Sequence, residues 1–180
     1  MVIYFDCTLS GQEVYGNILQ NCDGLAMLVG GRNNIIKNNI FIDVRNALQY
    51  NEIARAGFME EGHWFANMVL PEQTILWNSL TAMPYQTGIW AAKYPALAKV
   101  STDRSNPDAP EFAVNPAGSV IENNVVCLSR ATSFDIADSV YVYGTVGENL
   151  FLARSADPGF ADLDNGNLNL KEDSIIFAEL

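Results

Sequence analysis

Two acidic residues at the ends of predicted strands, Asp6 and Glu52, are the candidate catalytic residues of this chain. Asp6 follows an apolar run at residues 2–5, and Glu52 follows a second run at residues 47–50. Glycoside hydrolysis needs two carboxyl groups, about 5 Å apart for retention of configuration or roughly 6.5–9.5 Å apart for inversion. Two parallel strands with a third between them lie on the order of 9–10 Å apart, which approaches the inverting range. The alternative is that both acids are solvated surface residues.

Polar and aromatic side chains in the same strands and turns are candidates for binding a substrate. They are Tyr4, Arg32, Gln49, Asn51 and Asp135. Arg32 follows two glycines and is suited to holding a uronate carboxylate, or to neutralising one during β-elimination. Its alternative role is to tie one turn to the next. Asp135 extends the outward-facing row of side chains by one more strand.

The single histidine of the chain stands beside a tryptophan, as His63 and Trp64. An imidazole is a candidate general base, and the pair is a further candidate for substrate binding. The alternative is that His63 packs within its own segment. Other aromatic side chains are candidate platforms for sugar stacking or, alternatively, core residues. They are Trp77, Tyr85, Trp90 and Tyr94.

A repeated unit predicts the elements that position these residues. An aliphatic residue, two spacers, an asparagine and another aliphatic residue occur at residues 14–18, 36–40, 121–125 and 146–150. A period near 20 to 25 residues is typical of a stacked solenoid. The sequence therefore predicts an all-β parallel β-helix, in which each repeat contributes three short strands to three separate sheets.

Alternation along the first strand of each repeat predicts the register. Residues 2–5, 25–29 and 47–50 align, and later strands are predicted at residues 134–136 and 140–146. The predicted inward-facing residues are Ile3, Met27 and Leu48, followed by Phe5, Val29 and Tyr50. The predicted outward-facing residues are Tyr4, Leu28 and Gln49. The repeated asparagines are expected to adopt left-handed backbone angles at tight bends and to hydrogen-bond to each other in a column. They are Asn17, Asn39, Asn124 and Asn149.

The chain of 180 residues is predicted to form one domain. Its expected parts are coils at 1–56 and 119–156, an insertion at 57–118 and a C-terminal cap at 157–180. Helices are predicted at 71–80, 90–94 and 95–100 within the insertion, which is either a flap near a binding site or a cover over an apolar face. The uncapped N-terminal end predicts contact with further coils of a larger β-helix, or with another subunit.

Composition excludes several classes of partner. There are 21 acidic and 10 basic residues, for a net charge of −11, which argues against nucleic acid and anionic membranes. The sequence contains no run of 18 apolar residues, so no transmembrane helix is predicted. Three cysteines without metal-ligand spacing are expected to be buried thiols, and with a single histidine neither a metal nor another cofactor is expected. Residues 162–167 look like the start of a calcium loop but lack the later glutamate, so a turn is expected.

The motif I-I-K-N-N-I-F at 35–41, together with 3–17 and the closing D-P-G-F at 157–160, resembles right-handed parallel β-helix repeats of the pectate-lyase-like superfamily. The closest resemblance is to bacterial glycoside-hydrolase-like β-helix proteins, and residues 84–97 resemble their insertion. This resemblance implies a carbohydrate-active protein that acts on polysaccharide, located outside the cell or in the periplasm. Such proteins tend to carry a His and an Asp where this chain has Gln49 and Asn51. The departure keeps two alternatives open: a non-catalytic carbohydrate-binding or structural segment, and a polysaccharide lyase that depends on Arg32.

Overall fold

The computed structural model describes residues 1–6, 8–70 and 75–179 and has a mixed α/β fold. The strands are β1 (Ile3–Tyr4), β2 (Glu13–Tyr15), β3 (Ile18–Val29), β4 (Ile35–Lys37), β5 (Ile40–Tyr50), β6 (Val120–Glu122), β7 (Val125–Cys127), β8 (Asp135–Ile136), β9 (Thr145–Val146), β10 (Leu150–Phe151), β11 (Phe160–Asp162) and β12 (Asn167–Leu170). The helices are α1 (Ile53–Met59), α2 (Ala66–Val69), α3 (Ile75–Thr81), α4 (Gly88–Lys93), α5 (Pro95–Ala98), α6 (Asp138–Tyr143) and α7 (Ile175–Glu179). No helix in this described part is both long and apolar enough to cross a membrane.

The predicted all-β parallel β-helix is wrong. The structure is 21% helix and 30% strand, and the described residues contain seven helices together with parallel sheets. Five of these helices, α1 to α5, lie between β5 and β6. They bury an aromatic core of their own, in which Phe65, Trp77 and Phe112 pack together. An independent core of this kind lets the segment fold as helices, which a strand repeat alone does not predict.

The helices predicted from proline placement lie close to observed ones. The prediction for 90–94 corresponds to α4, and the prediction for 95–100 corresponds to α5, which has Pro95 in its first turn. The prediction for 71–80 corresponds in part to α3, and its residues 71–74 lie outside the described residues. Helix α4 ends before Tyr94 because a residue that precedes proline is restricted from helical angles. Tyr94 accordingly has φ −127° and ψ 69°.

Two parallel sheets contain the strands β1 to β10, and the strands from β1 to β7 alternate between these sheets along the chain. The first sheet has the order β1-β3-β5-β7-β10, with β8 also paired to β5, and the second has the order β2-β4-β6-β9. The prediction of three strands and three sheets per repeat is wrong, because two expected strands merge into the 12-residue strand β3. The β3–β5 register shifts between Cys22 and Leu25 instead of breaking there. The strand predicted at 140–146 is wrong over residues 140–143, which belong to α6, and only Thr145–Val146 form a strand, β9.

The predicted register of the first sheet is confirmed. Ile3 pairs with Met27, and Met27 pairs with Leu48. Met27 and Leu48 are buried, whereas Tyr4 is exposed. The row of Tyr4, Leu28 and Gln49 continues to Asp135, which pairs with Gln49. Strand alternation therefore places the predicted binding residues of this row on the face opposite the core.

An asparagine ladder joins the turns that lead into β3, β5, β7 and β10. Asn17 donates its side-chain amide to Asn39 (3.0 Å), Asn39 donates to Asn124 (2.9 Å), and Asn124 donates to Asn149 (2.9 Å). The predicted column of side-chain hydrogen bonds is therefore confirmed. The predicted left-handed angles are wrong for these four residues. They occur one residue earlier at three of the four turns, at Gly16 (φ 67°), Asn38 (φ 55°) and Asn123 (φ 56°).

The outer edge of β5 is paired in two separate places. Strand β7 pairs with it from Ile40 to Ile42, and β8 pairs with Gln49 and Tyr50. Residues 128–134 connect β7 to β8 and leave the middle of this edge open. The C-terminal residues form the antiparallel hairpin β11-β12 and helix α7, and Phe160 and Ile176 of this tail pack against Val125 and Cys127 of β7.

Candidate functional site

A cleft of about 670 Å³ is formed by the described residues. Its lining comes from two parts of the chain, the segment between β5 and β6 that contains α1 to α5, and the turns that follow β1 and β3. The helical part supplies aromatic side chains, which are Trp77, Trp90 and Tyr94. The turns supply polar side chains, which are Thr8, Ser10, Gln12, Arg32 and Asn33. A concave, mainly apolar cavity with a few convergent polar groups is the common form of a small-molecule site.

The accessible aromatic surface of this cleft is a pair formed by Trp90 of α4 and Tyr94, the residue between α4 and α5. Trp90 is half-buried and Tyr94 is 44% exposed, and their ring centroids lie 5.7 Å apart at an angle of 31°. Lys93 lies between them in sequence, with its ammonium 5.6 Å from the Tyr94 ring centroid. Trp77 differs, because it is buried and its indole N–H donates to the carbonyl of Val69. Trp90 and Tyr94 are thus available to a ligand, whereas Trp77 belongs mainly to the core.

Arg32 connects the turn after β3 to the segment before β6. Its Nη1 donates to the carbonyls of Glu111 (3.3 Å) and Phe112 (3.2 Å), and its Nη2 donates to the carbonyl of Pro110 (3.3 Å). Its Nε is buried and has no hydrogen-bond partner among the described residues. Burial lowers the pKa of the guanidinium from its usual value, and the nearby Glu111 carboxylate opposes this shift. Most of the hydrogen-bonding capacity of Arg32 therefore stabilises the wall of the cleft.

The turns that supply the polar residues pack directly on each other. The backbone N–H of Arg32 donates to Ser10 Oγ (3.0 Å), and the N–H of Gly11 donates to the carbonyl of Arg32 (3.0 Å). Gly31, which precedes Arg32, has φ 81°, and a Cβ atom on it would lie 2.5 Å from the carbonyl oxygens of Thr8 and Leu9. Only glycine tolerates both the backbone angle and the close approach. The Gly-Gly-Arg sequence thus positions this wall.

A second, more polar groove of about 450 Å³ lies where β5 is open between β7 and β8. Gln49 and Asp135 line it, and Gln49 Nε2 donates to Asp135 Oδ2 (2.9 Å). The structure therefore brings together two residues that were predicted to lie in one outward-facing row. The groove also contains polar residues that were not predicted to be binding residues. These are Asn46, Arg130, Thr132 and Ser133.

The two candidate catalytic acids lie outside the lining of both cavities. Asp6 accepts a hydrogen bond from the hydroxyl of Tyr4 (2.6 Å). Tyr4 pairs with Leu28, and Leu28 pairs with Gln49. Continuing this register by two residues aligns Asp6 with Asn51, so Glu52 lies one residue beyond the position that matches Asp6. Glu52 is the N-cap residue of α1, and its side chain makes no capping bond to the described residues of that helix. Asn51 occupies the turn before α1, where its Oδ1 accepts the N–H of Ile53 (3.4 Å).

His63 and Trp64 also lie outside both cavities. His63 Nδ1 accepts the backbone N–H of Phe65 (3.2 Å), and its ring stacks on Trp64 with centroids 5.9 Å apart. This is the local packing that was the alternative role for His63. Trp64 remains 73% exposed. No group of three or more His, Cys, Asp or Glu side chains suited to a metal ion occurs among the described residues.

The polar wall of the cleft was only partly predictable. Arg32 was identified from its place after two glycines, but Gln12 and Asn33 were not identified as binding residues. Their signal was their 21-residue separation, which nearly matches the 22-residue step between paired strands β2 and β4. No comparable signal marked the groove residues 130–133. They reach β5 because β7 pairs with it, and the paired positions of these two strands are 85 residues apart in sequence.

No protein-family model, no curated protein and no solved structure matches this chain. The predicted membership of the pectate-lyase-like superfamily is wrong. The strands of this structure are short, lie in separate parallel sheets accompanied by helices, and make up only 30% of the 180 residues. The function therefore has to be argued from the two cavities themselves.

Proposed function

We propose that this chain binds an oligosaccharide in the cleft lined by Trp90 and Tyr94. The observation that carries the proposal is the composition of the cleft, where an accessible aromatic pair and the polar side chains of two packed turns line one cavity. A sugar ring has apolar C–H faces and a rim of hydroxyl groups. Aromatic rings cover the faces, and amides and hydroxyls bind the rim.

The size and the available polar atoms support a ligand of this class. A volume of about 670 Å³ falls within the usual range for small-molecule sites, which is roughly 300–1,000 Å³. The Gln12 side chain uses its Nε2 to donate to the carbonyl of Ser10 (3.1 Å), which leaves its Oε1 as an acceptor. Within the described residues, the Asn33 side chain makes no hydrogen bond, so its amide donors are not engaged.

The cleft supports binding more directly than hydrolysis. Its lining contains Arg32 and Lys93 but no aspartate or glutamate from the described residues, and hydrolysis normally needs two carboxyl groups. Hydrolysis is the second candidate, because Asp6 and Glu52 each stand two residues before a lining residue, Thr8 and Ala54 respectively. Lyase chemistry is not proposed. It would need the Arg32 guanidinium to neutralise a uronate carboxylate, but the guanidinium donates hydrogen bonds to three backbone carbonyl oxygens.

Calorimetric titration with a panel of neutral and acidic oligosaccharides tests the proposal. At least one is expected to bind, and Trp90→Ala and Tyr94→Ala are each expected to weaken binding about tenfold, the equivalent of about 1.4 kcal/mol of stacking. The matched control is Trp64→Ala, which removes an exposed indole outside the cleft. Absence of binding by every saccharide, or an equal loss in the Trp64 variant, would contradict the proposal.

An assay for new reducing ends separates hydrolysis from binding. If the protein is a hydrolase, the wild-type protein should release new reducing ends. Asp6→Asn and Glu52→Gln should each bind the saccharide but release none. If the wild-type protein binds a saccharide and releases no reducing ends, binding alone is its function. If reducing ends appear and persist in both variants, Asp6 and Glu52 are not the catalytic acids.

A further inference from the structure

The polar groove interrupts the pairing of one edge of β5. On this edge, β7 ends its pairing at Ile42 and β8 begins at Gln49. Between them, the only backbone link from the described residues is the N–H of Arg130, which donates to the carbonyl of Val44 (3.0 Å). The connection from β7 to β8 then turns outward and forms the far side of the groove. The middle of a central strand is therefore open to a ligand.

Asn46 presents its main chain to this opening. Peptide groups that point to one side of a strand alternate in sequence. The peptide groups of Val44 and Tyr50 face the β8 side, because their carbonyls accept the N–H groups of Arg130 and Ala137. Asn46 lies an even number of residues from both Val44 and Tyr50, so its N–H and C=O face the same side. Neither its N–H nor its C=O is hydrogen-bonded to the described residues 128–134.

Two opposite charges lie in the same groove without neutralising each other. Arg130 and Asp135 both line it and both are exposed. The ion pairs among the described residues are Lys37 with Glu122 and Arg55 with Asp108, so neither Arg130 nor Asp135 belongs to one. The hydrogen bond from Gln49 occupies one oxygen of Asp135 and holds the carboxylate in place. The groove thus has a negative group at one end and a positive group at the other.

We propose that this groove binds a short extended peptide with free termini. The peptide would pair with the N–H and C=O of Asn46, place its ammonium group at Asp135 and place its carboxylate at Arg130. Main-chain pairing of a peptide with an open strand edge is a general mode of recognition. The Arg130 end lies at Val44 and the Asp135 end lies at Gln49, so the bound peptide would run antiparallel to β5.

The spacing of the charged ends limits the length of the peptide. Val44 and Gln49 are five residues apart, which is about 16 Å along a strand. An extended tri- or tetrapeptide spans about 10–14 Å, and the long Arg130 side chain covers the remaining distance. The volume of about 450 Å³ is within the range of small-ligand sites. The hydroxyls of Thr132 and Ser133 are available to the outward-facing peptide groups.

The test uses the whole chain and tetra-alanine with free termini, measured by calorimetry and by amide chemical shifts. Tetra-alanine is expected to bind and to shift the amide resonance of Asn46. N-acetylation and C-amidation of the peptide are each expected to weaken binding about tenfold, because each removes one charge-assisted contact. In Asp135→Asn, N-acetylation of the peptide should no longer weaken binding, whereas C-amidation still should. In Arg130→Gln, C-amidation should no longer weaken binding, whereas N-acetylation still should.

Control variants and competitors complete the design. Asp164→Asn and Arg154→Gln change exposed charges outside the groove and are expected to leave peptide binding unchanged. No binding of tetra-alanine at millimolar concentration, or equal binding of the doubly capped peptide, would overturn the proposal. Displacement of the peptide by a neutral oligosaccharide would overturn it in favour of a saccharide subsite at Gln49 and Asp135. Because Trp90 and Tyr94 are not involved, the outcome is independent of the function proposed for the cleft.

Discussion

Asn39 donates its side-chain amide to Oδ1 of Asn124 over 2.9 Å, although 85 residues separate the two in sequence. Both side chains are fully buried. The Oδ1 of Asn124 also accepts the backbone N–H of Asn39 (3.1 Å), and the remaining donor of Asn39 binds the carbonyl of Val14 (2.9 Å). The ladder therefore pairs groups that would otherwise be buried without partners, and it connects the two sides of the helical segment.

Asn39→Ala is expected to lower the free energy of unfolding by about 2–4 kcal/mol. The substitution leaves the carbonyl of Val14 and the oxygen of Asn124 short of a donor, and an unpaired buried polar group costs about 1–3 kcal/mol. Urea denaturation measures the change. Asn106→Ala is the matched control, because its exposed side chain makes no hydrogen bond with the described residues, and it should have little effect. Equal stability of the two variants would refute the role of the ladder.

Gly31→Ala is expected to destabilise the protein more than Gly16→Ala. Both glycines have positive φ, of 81° and 67°, so each alanine carries a backbone cost of about 1–2 kcal/mol. At Gly31 the new Cβ would also meet two carbonyl oxygens, whereas at Gly16 no atom of the described, non-adjacent residues lies within 4 Å of it. Overpacking adds about 1–3 kcal/mol. Thermal and urea unfolding compare the two variants, and a larger loss in Gly16→Ala would contradict the packing described for Gly31.

Stability is expected to fall as the pH rises from about 9 to about 12. Burial raises the pKa of the Cys127 thiol from its usual value of 9.0 to about 12. In this range the unfolded thiol ionises while the folded thiol keeps its proton, so the unfolded state is favoured. The slope is at most about 1.4 kcal/mol per pH unit for one group. Unfolding free energies at pH 8 and pH 11 measure the effect.

Cys127→Ala provides the control for this pH dependence. The difference in unfolding free energy between pH 8 and pH 11 should be smaller in the variant than in the wild-type protein. A residual dependence above pH 10 is expected, because burial also raises the pKa of Tyr50. An unchanged difference in Cys127→Ala would show that the thiol is not responsible.

Arg32→Gln is expected to lower the free energy of unfolding by about 1–3 kcal/mol, because three carbonyl oxygens at residues 110–112 lose their donor. Hydrogen exchange should increase in that segment before it increases elsewhere. Arg154→Gln, which removes an exposed cation, serves as the control. If Arg32→Gln kept full stability and lost only ligand affinity, the guanidinium would be a binding group instead of a structural one.

Local sequence patterns determined the parts of this protein that repeat. The period-two alternation of the strands predicted that Ile3, Met27 and Leu48 face the core, because a half-buried strand must alternate. The 22-residue recurrence of asparagine predicted the ladder, since equal spacing brings like residues to neighbouring strands. Prolines predicted the short helices α4 and α5, in the second of which Pro95 occupies the first turn.

Tertiary packing decided the remainder. Residues 18–20 and 25–29 join into one strand because the neighbouring strand β5 continues past the register shift, and residues 138–143 form a helix although they are rich in strand-forming side chains. Both cavities depend on contacts between distant segments. Trp90 and Gln12 line one cleft only because the helical segment folds on a core of its own, and Asp135 accepts a hydrogen bond from Gln49 across 86 residues. Such pairings have no local signal, because their free energy comes from burial that no single segment of the chain can achieve.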